Sequence, residues 1–567
     1  MSAAPSYVHG ASAKPLLGDT LGSLIDRIAA AHPERPALVV RAQNVRMNYR
    51  EFHAEVERVA AGLLALGLQR GDRVGIWAPN RAEWVLLQFA APKAGLILVN
   101  INPAYRSHEL EYSLNKVGCR ALVLPRRFKT SHYLEIMGDL APELAASAPG
   151  QLHAARLPTL REVILLDDAP APGTRSWSQL AARGDAAALA KLHEAELALN
   201  FDDPVNIQFT SGTTGAPKGA TLTHHNIVNN GWFIGEAMRL TEHDRLCIPV
   251  PFYHCFGMVL GNLACVTHGA CMVIPGEGFD ALVTLETVAE EKCTGLHGVP
   301  TMFIAELEHP RFAEFDLSSL RTGIMAGSPC PIEVMRRVVG EMHLSEITIA
   351  YGMTETSPVS FQTVPDDPLE RRVDSVGRIH PQLEVKLVDE RGHAVPRGSP
   401  GELCTRGYSV MLGYWEDAER TREVIDEARW MHTGDLAVID ADGYCSIVGR
   451  LKDMIIRGGE NVYPREIEEF LYAHPKVLDV QVFGVPDAKF GEQVCAWIRL
   501  REGSDASVAE IQDHCRRHLA HFKVPHYVRF VDAFPMTVTG KVQKYVMRET
   551  MVDELGLREP AGRHPSG

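Results

Sequence analysis

The chain has 567 residues, of which 46% are hydrophobic and 23% charged, a composition typical of folded proteins but too long for one core. Lys and Arg total 57 against 71 Asp and Glu, and the net charge of −14 argues against a general nucleic-acid binder, which needs a basic face. The 11 cysteines include no CxxC pair, so the sequence predicts buried thiols in a reducing compartment rather than a disulfide framework or zinc site.

The N-terminal segment, residues 1–18, is polar and contains one Lys and no Arg. It therefore lacks the features of a secretory signal or a mitochondrial transit peptide. No apolar run reaches the roughly 20 residues that a membrane-spanning helix needs, and the longest, Trp84–Ile101, is interrupted by Pro92 and Lys93. We predict a cytoplasmic protein with at most peripheral membrane contact, and a helix followed by a buried strand over Trp84–Ile101.

The first half of the chain alternates helix and strand patterns. Apolar residues recur at helical spacing from Phe52 to Leu66, and Arg73–Ala78 then has the pattern of a short buried strand. The same alternation predicts the following further elements: helices at Arg81–Ala94, Leu282–Lys292 and Pro331–Met342, and strands at Leu96–Ile101, Val205–Phe209, Arg245–Val250, Thr322–Met325 and Ile347–Ala350. Such alternation is typical of a parallel sheet covered by helices on both faces. The Ala- and Pro-rich stretch Gly138–Gly184 is interpreted as a surface excursion.

The pattern changes near Arg450, where about a hundred residues of mixed strands and helices begin. Pro464 fits the first turn of a helix whose apolar stripe includes Ile467 and Leu471. We predict a mixed α/β fold with two domains, a large one over residues 1–449 and a small mobile one over residues 450–567, ending in a disordered tail.

A glycine- and hydroxyl-rich segment, Thr210–Gly219, directly follows a predicted strand. Its glycines let the backbone approach a ligand, its four hydroxyl side chains can donate to phosphate oxygens, and Lys218 adds a positive charge. The position of that lysine does not fit a Walker A loop. The segment is interpreted as a phosphate-binding loop, with a flexible surface loop as the alternative.

Three further segments share the order and spacing of a known family: Tyr351–Pro358; Thr433–Asp435 with Gly449–Asp453 and Gly458–Glu460; and Thr539–Lys541. Together with Thr210–Gly219 they resemble the acyl-adenylate-forming (AMP-binding) superfamily, from about Leu21 to Arg548. Within the acyl-CoA synthetase branch, the chain is similar to the medium-chain fatty acyl-CoA synthetases, including at Val99–Pro103 and Thr223–Asn226. The resemblance implies a large adenylate-forming domain and a small C-terminal domain that rotates between two half-reactions.

The resemblance also implies a role for each matching residue. ATP would be contacted by Thr210, Ser211, Gly212, Thr213, Thr214, Gly215, Pro217 and Lys218 around the phosphates, by Gly327, Ser328, Tyr351, Gly352, Met353 and Thr354 around adenine, and by Asp435 and Arg450 at the ribose. Glu355 and Thr210 would hold Mg²⁺, which prefers oxygen ligands, and Lys541 would bridge the acid and the α-phosphate. Lys452 would lie at the domain hinge, and Gly458, Gly459 and Glu460 would enter the site for the second step, where coenzyme A reacts.

The acid-binding site is less specified. Pro251–Gly257 resembles the family segment whose histidine borders the acyl carboxylate, which makes His254 a catalytic candidate; a histidine packed in the core is the alternative. Met258 lies four residues later, where some long-chain enzymes have a gating Trp. An apolar wall for the acid is predicted from the following residues: Trp232, Phe233, Ile234, Met238, Met258 and Val259.

These features predict an ATP-dependent, AMP-forming ligase that joins a medium- or long-chain fatty acid to coenzyme A. Three alternatives stay open: an aryl-acid CoA ligase, an adenylate donor to a separate carrier protein, and a non-catalytic nucleotide-binding regulator. The acid, ATP and coenzyme A are the expected partners, nucleic acid is not expected, and a homodimer is an open possibility.

Overall fold

A computed structural model describes residues 4–169, 171–210, 217–328, 330–457, 460–487, 489–537 and 542–557, with Asn461 described by its backbone alone. The chain divides into two compact units. The first contains Met1–Tyr7, Lys386–Cys404 and Thr433–Gly567, and the second contains Val8–Val385 and Thr405–His432. The fold is mixed α/β, as predicted, whereas the predicted boundary between residues 449 and 450 stays a prediction.

An eight-stranded sheet in the second unit confirms the early strand predictions. Its strands, in sheet order, are Arg175–Ser176, Glu162–Leu165, Cys119–Leu124, Arg73–Ile76, Ile97–Asn100, Pro204–Thr210, Lys218–Thr223 and Gly413–Tyr414. The first six are parallel to one another, and Lys218–Thr223 is antiparallel to both of its neighbours. The interpretation of Gly138–Gly184 as a surface excursion was wrong in part, because Glu162–Leu165 is a fully buried strand of this sheet.

A nine-stranded sheet forms the other half of the second unit. Its strands, in sheet order, are Arg378–Ile379, Val359–Gln362, Glu346–Gly352, Thr322–Ala326, Gly295–Gly298, Arg245–Cys247, Cys271–Ile274, Pro36–Val40 and Val45–Asn48. The six strands from Glu346–Gly352 to Pro36–Val40 are parallel, and the sheet ends are antiparallel. The carboxyl ends of the parallel strands therefore meet at one edge, where α/β proteins bind ligands.

The helices of the second unit are Leu21–Ala31, Tyr49–Ala65, Ala82–Lys93, Ser107–Val117, Tyr133–Leu140, Trp177–Ala181, Ala186–Glu196, His224–Ala237, Ala264–His268, Ala281–Glu291, Pro300–Leu307, Ile332–Glu341, Leu369–Asp374 and Ala418–Val424. The helix Tyr49–Ala65 shows why they begin where they do: Asn48 accepts from the amide of Glu51, and the Glu51 carboxylate accepts from the amide of Asn48. Its buried face includes Phe52, Val56 and Leu63, which confirms the predicted helix.

The helix Ala82–Lys93 is buried on almost all sides, with only Glu83 partly exposed. A helix that is apolar all round belongs inside a protein core, and the strand Ile97–Asn100 follows it as predicted. Among the described residues, no helix has the length and hydropathy to cross a membrane. All 11 cysteines are buried thiols outside any disulfide, as the composition predicts.

The C-terminal part of the first unit has its own sheet and core. Its strands, in sheet order, are Glu460–Val462, Ile455–Arg457, Gly491–Leu500 and Val477–Asp487, with Tyr527–Phe530 pairing with Gly491–Leu500. The same part of the chain contains the helices Pro464–Tyr472, Val508–His518 and Lys544–Glu554. Pro464 is the first residue of its helix, as predicted, and Ile467 and Leu471 are buried in the core. A second five-stranded sheet consists of Tyr7–His9, Leu383–Val388, Gly401–Gly407, Met431–Ile439 and Cys445–Arg450.

Candidate active site

The predicted phosphate loop connects two antiparallel strands. Thr210 pairs with Lys218 at the loop end of the hairpin formed by Pro204–Thr210 and Lys218–Thr223. The predicted residues Ser211, Gly212, Thr213, Thr214 and Gly215 lie outside the described residues. The strand after the loop was not predicted, and it requires glycine at 219, because a Cβ there would lie 2.9 Å from the Ile207 side chain.

Glu355 lies in a short 3₁₀ helix, Thr354–Thr356, that follows the strand Glu346–Gly352. Its carboxylate is 5% exposed, and its Oε1 accepts hydrogen bonds from Thr210 Oγ1 at 3.4 Å and from the Tyr414 hydroxyl at 2.9 Å. The two residues predicted to hold Mg²⁺, 145 positions apart in the chain, are therefore in contact. A carboxylate and a hydroxyl are oxygen donors of the kind that Mg²⁺ prefers, so these residues fit the ion.

Tyr414 is the residue that the sequence analysis missed. It pairs with Ala220 in the eight-stranded sheet, and its ring lies 4.9 Å from Lys218 Nζ. Burial, and then the adjacent Glu355 carboxylate, raise the pKa of Tyr414, so its phenol remains the proton donor. None of the family segments identified in the sequence includes this residue. The signal that was available is the Gly413–Trp415 triplet, in which two aromatic residues follow a glycine.

The predicted adenine-contacting residues lie at the ends of two neighbouring parallel strands. Ala326 pairs with Ala350, so Gly327 and Ser328 follow one strand at the same sheet edge where Tyr351 and Gly352 end the next strand and lead into Met353 and Thr354. Gly352 is fixed by close packing, because a Cβ there would lie 1.7 Å from the carbonyl oxygen of Pro358. The sheet topology thus brings these predicted residues together, while their contacts with a nucleotide stay a prediction.

His254 lies on the loop after another parallel strand of the same sheet, Arg245–Cys247. It is partly buried, and its Nδ1 accepts a hydrogen bond from the Phe256 amide at 3.1 Å. The loop leads directly into a fully buried π-helix, Phe256–Leu263. Helical turns of this wider kind occur frequently at functional sites, which favours a role for the segment beyond packing.

Buried side-chain amides hold the segment around His254. Three side-chain amides donate to backbone carbonyl oxygens: Asn80 Nδ2 to Val250 at 2.9 Å, Asn100 Nδ2 to Tyr253 at 3.3 Å, and Gln88 Nε2 to Met258 at 3.0 Å. The three amide residues are each at most 3% exposed. A buried polar group without a partner costs ~1–3 kcal/mol, so these bonds strongly favour the observed loop conformation.

The predicted apolar wall is divided between different neighbours. Trp232 stacks on His268 with ring centroids 4.7 Å apart, whereas Phe233 packs against Tyr408. Consecutive helical residues point about 100° apart, so these two do not line one surface. Met258 instead packs near the following residues, with no room between them for a water molecule: Leu21, Gln88, Pro92, Leu98, Val205, Asn206 and Ile227.

The predicted ribose-binding residues lie in the first unit. Asp435 and Arg450 face each other on the antiparallel strands Met431–Ile439 and Cys445–Arg450, with Arg450 Nε donating to Asp435 Oδ1 at 3.0 Å. The Asp435 side chain is 9% exposed and that of Arg450 is 60% exposed. Lys452 and Glu460 are exposed, and the predicted residues Gly458, Gly459 and Lys541 lie outside the described residues.

Comparison with known proteins identifies the family. Residues 25–415 match the AMP-binding enzyme family, and residues 466–541 match the AMP-binding enzyme C-terminal domain. The chain is similar to "Medium-chain acyl-CoA ligase ACSF2, mitochondrial" from Danio rerio, with 49% identity over 97% of this chain and 91% of the relative. It is also similar to the Bacillus subtilis (strain 168) protein YngI, named as an acyl-CoA synthetase, with 51% identity over 96% of this chain and 99% of the relative.

A solved structure agrees with this sequence similarity. The anthranilate CoA ligase AuaEII, in complex with anthranoyl-AMP, matches with a TM-score of 0.83 and 27% identity, covering 96% of this chain and 99% of that one. The family matches span most of the chain, and the relatives align over nearly their full length. The chain therefore belongs to the AMP-binding enzyme family and, within it, to the acyl-CoA synthetase branch.

Proposed function

We propose that this protein is an ATP-dependent fatty acid–CoA ligase that forms an acyl-adenylate and then an acyl-CoA. The observation that carries the proposal is the contact between Thr210 and Glu355, in a chain that shares about half its residues with acyl-CoA ligases. Lys218, which pairs with Thr210 in the hairpin, adds a positive charge near this contact. Its Nζ lies 4.9 Å from the ring of Tyr414, whose hydroxyl donates to Glu355. These are the groups that a bound nucleoside triphosphate requires.

Two half-reactions follow from this assignment. In the first, a carboxylate oxygen of the acid bonds to the α-phosphorus of ATP, and pyrophosphate leaves. In the second, the sulfur of coenzyme A bonds to the acyl carbon, the acyl–phosphate bond breaks, AMP leaves, and the thiol proton passes to solvent. When bound, Mg²⁺ would offset the negative charge of the phosphate oxygens.

The residues of this chain would bring two anions together. Glu355 and Thr210 would hold Mg²⁺, and Lys218 would neutralise phosphate charge. His254 would border the acid carboxylate, since it lies on a loop at the same sheet edge as Tyr351. Lys541 would stabilise charge at the α-phosphate in the first half-reaction. Lys452 would lie at the domain hinge, and Gly458, Gly459 and Glu460 would enter the site for the second half-reaction. Asp435 and Arg450 would bind the ribose.

The acid is proposed to be a fatty acid of medium or long chain. One observation supports an alkyl tail: the relative from Danio rerio is named as a medium-chain acyl-CoA ligase. An aryl acid is the second candidate, because the anthranilate CoA ligase shares the fold at a TM-score of 0.83.

A panel of acids tests the substrate. Purified protein with ATP, Mg²⁺ and coenzyme A should convert octanoate or palmitate to the acyl-CoA, with one AMP and one pyrophosphate per turnover, faster than benzoate. Faster conversion of benzoate would replace the fatty acid by an aryl acid. Pyrophosphate release without any acyl-CoA product would indicate a different acceptor, and no acid-dependent pyrophosphate release would end the enzymatic proposal.

Replacement of Lys541 tests the mechanism. Lys541→Ala should lower acid-dependent exchange between pyrophosphate and ATP by about 10²–10³-fold, the usual effect of removing one charge-stabilising donor. Formation of acyl-CoA from a supplied acyl-adenylate should continue near the wild-type rate, which serves as the control for folding. Adenylation by the variant at the wild-type rate would contradict the assignment of Lys541.

A cytoplasmic location and a homodimer also belong to this proposal. The relative from Danio rerio is named as mitochondrial, so cell fractionation with an antibody against this chain is the direct test of location. Light scattering of the purified protein measures its oligomeric state.

A further inference from the structure

Tyr414 contacts both groups assigned to the metal and the phosphates of ATP. Its hydroxyl donates to Glu355 Oε1 at 2.9 Å, and the face of its ring lies 4.9 Å from Lys218 Nζ. The residue is 7% exposed. One side chain therefore connects the carboxylate after the nine-stranded sheet with the lysine that begins a strand of the eight-stranded sheet.

The backbone of Tyr414 is itself held in place. Its amide donates to Thr421 Oγ1 at 2.9 Å, and its strand Gly413–Tyr414 is hydrogen-bonded to the strand Lys218–Thr223. The next residue, Trp415, donates its amide to the carbonyl oxygen of Gly219 at 2.7 Å. Tyr414 is thus fixed to the same strand whose first residue is Lys218.

The hydrogen bonds leave one oxygen of Glu355 for a ligand. Oε1 accepts from both Thr210 and Tyr414, whereas no hydrogen bond from the described part of the chain reaches Oε2. Loss of the phenol hydroxyl would remove the shorter of the two bonds and free the carboxylate to rotate. The ring acts separately, because an aromatic face attracts an ammonium group and restricts its position.

We propose that Tyr414 is a positioning residue that orients Glu355 for Mg²⁺ and Lys218 for the phosphates of ATP. This inference rests on the proposed function, since it concerns the same nucleotide site. Tyr414 does not touch the reacting atoms and acts through the two side chains that it contacts.

The variant Tyr414→Phe removes the hydroxyl and keeps the ring. A hydrogen bond to a charged group is worth enough to change a binding constant by about tenfold or more, so the free Mg²⁺ concentration that half-saturates ATP binding should rise about tenfold. Calorimetric titration of ATP across a Mg²⁺ series measures this without catalysis. Affinity for ATP in EDTA should stay at the wild-type value, because the Lys218 contact is intact.

Two other variants separate the hydroxyl from the ring and from general packing. Tyr414→Leu should also weaken ATP binding in EDTA, since it removes the ring beside Lys218. Tyr408→Phe is the matched control, because Tyr408 is a buried tyrosine of the same unit whose hydroxyl donates to no carboxylate among the residues that the structure describes. It should leave both binding constants unchanged.

The background of Glu355→Gln shows whether the hydroxyl acts through Glu355. Adding Tyr414→Phe to Glu355→Gln should produce no further change in the Mg²⁺ dependence. An unchanged Mg²⁺ dependence in Tyr414→Phe, an equal change in Tyr408→Phe, or additive effects in the double variant would each overturn the inference. Wild-type protein that binds MgATP but makes no acyl-CoA would refute the proposed function and leave the test of Tyr414 valid.

Discussion

Two basic side chains that are hydrogen-bonded to carboxylates differ completely in exposure. Lys93, in the second unit, is 1% exposed and lies 2.6 Å from Asp26 Oδ1 and 2.7 Å from Glu196 Oε1. Arg450, in the first unit, is 60% exposed and has its Nε 3.0 Å from Asp435 Oδ1. Lys93 therefore has a structural role, whereas most of the Arg450 side chain is accessible to a ligand. The exposure of the cation therefore separates an ion pair that stabilises the fold from one whose cation can also bind a ligand.

Removal of the buried cation is expected to have the largest effect. Burial alone would lower the pKa of Lys93, but hydrogen bonds and charge attraction from Asp26 and Glu196 raise it above its ordinary value. Lys93→Ala would leave these two carboxylates without their shared cation. Because the Asp26 side chain is 43% exposed and that of Glu196 is 19% exposed, water can partly replace the lysine, and we expect a loss of about 1.5–3 kcal/mol in the free energy of unfolding. Urea denaturation followed by circular dichroism measures this loss. A loss below about 1 kcal/mol would remove the distinction between the two cations.

The comparison extends to buried histidines whose ring nitrogens accept hydrogen bonds from backbone amides. His224 Nδ1 accepts from the Leu21 amide at 2.9 Å, and His297 Nδ1 accepts from the Ile324 amide at 3.1 Å. Protonation at Nδ1 would break each bond, and burial lowers the pKa of His224 to about 3 and that of His297 to about 4. These pKa values lie below the ordinary value of 6.5, so the unfolded chain binds more protons than the folded protein once the pH falls below 6.5.

Stability should therefore fall as the pH is lowered from about 6.5 toward 4, by about 1.4 kcal/mol per pH unit for each histidine. Urea midpoints of the wild type between pH 7 and 5 test this slope. His297→Gln should show a shallower decline, whereas His108→Gln, at an exposed position, should not change it. A flat profile in the wild type would show that these histidines are protonated in the folded protein.

The sequence predicted the fold through its periodic elements, but it did not distinguish the two cations. Helical spacing located Tyr49–Ala65 and the apolar run located Ala82–Lys93, because local pattern dominates there. Lys93 was recognised only as an interruption of that run, since its partners Asp26 and Glu196 lie 67 and 103 positions away. The family motifs located Thr210 and Glu355, whereas Tyr414 lies outside the motifs identified in the sequence. Its importance follows only from the structure, in which it contacts Glu355 and Lys218. Pairing over such distances depends on topology that periodicity does not encode.

The smallest stability effect is expected for the exposed cation. Arg450→Ala removes one hydrogen bond to Asp435 from a guanidinium that is 60% exposed, and ion pairs with an exposed cation typically contribute ~0–1 kcal/mol to the free energy of unfolding. The loss should lie near the upper end of this range, because the Asp435 side chain is only 9% exposed. If the guanidinium contacts the ribose, the same variant should raise KM for ATP and leave KM for the acid unchanged. Its preference for ATP over 2′-deoxy-ATP should also decline.

Arg450→Lys provides the matched control for charge, because it keeps the cation but loses the planar guanidinium that donates to Asp435. If nucleotide binding depends on that geometry, both variants should show the same rise in KM for ATP at nearly wild-type stability. If Arg450→Ala instead lost much stability while KM for ATP stayed unchanged, Arg450 would have a structural role. Lys93 and Arg450 would then both be structural cations. An exposed side chain that changes ligand affinity without changing stability is the result that would keep them apart.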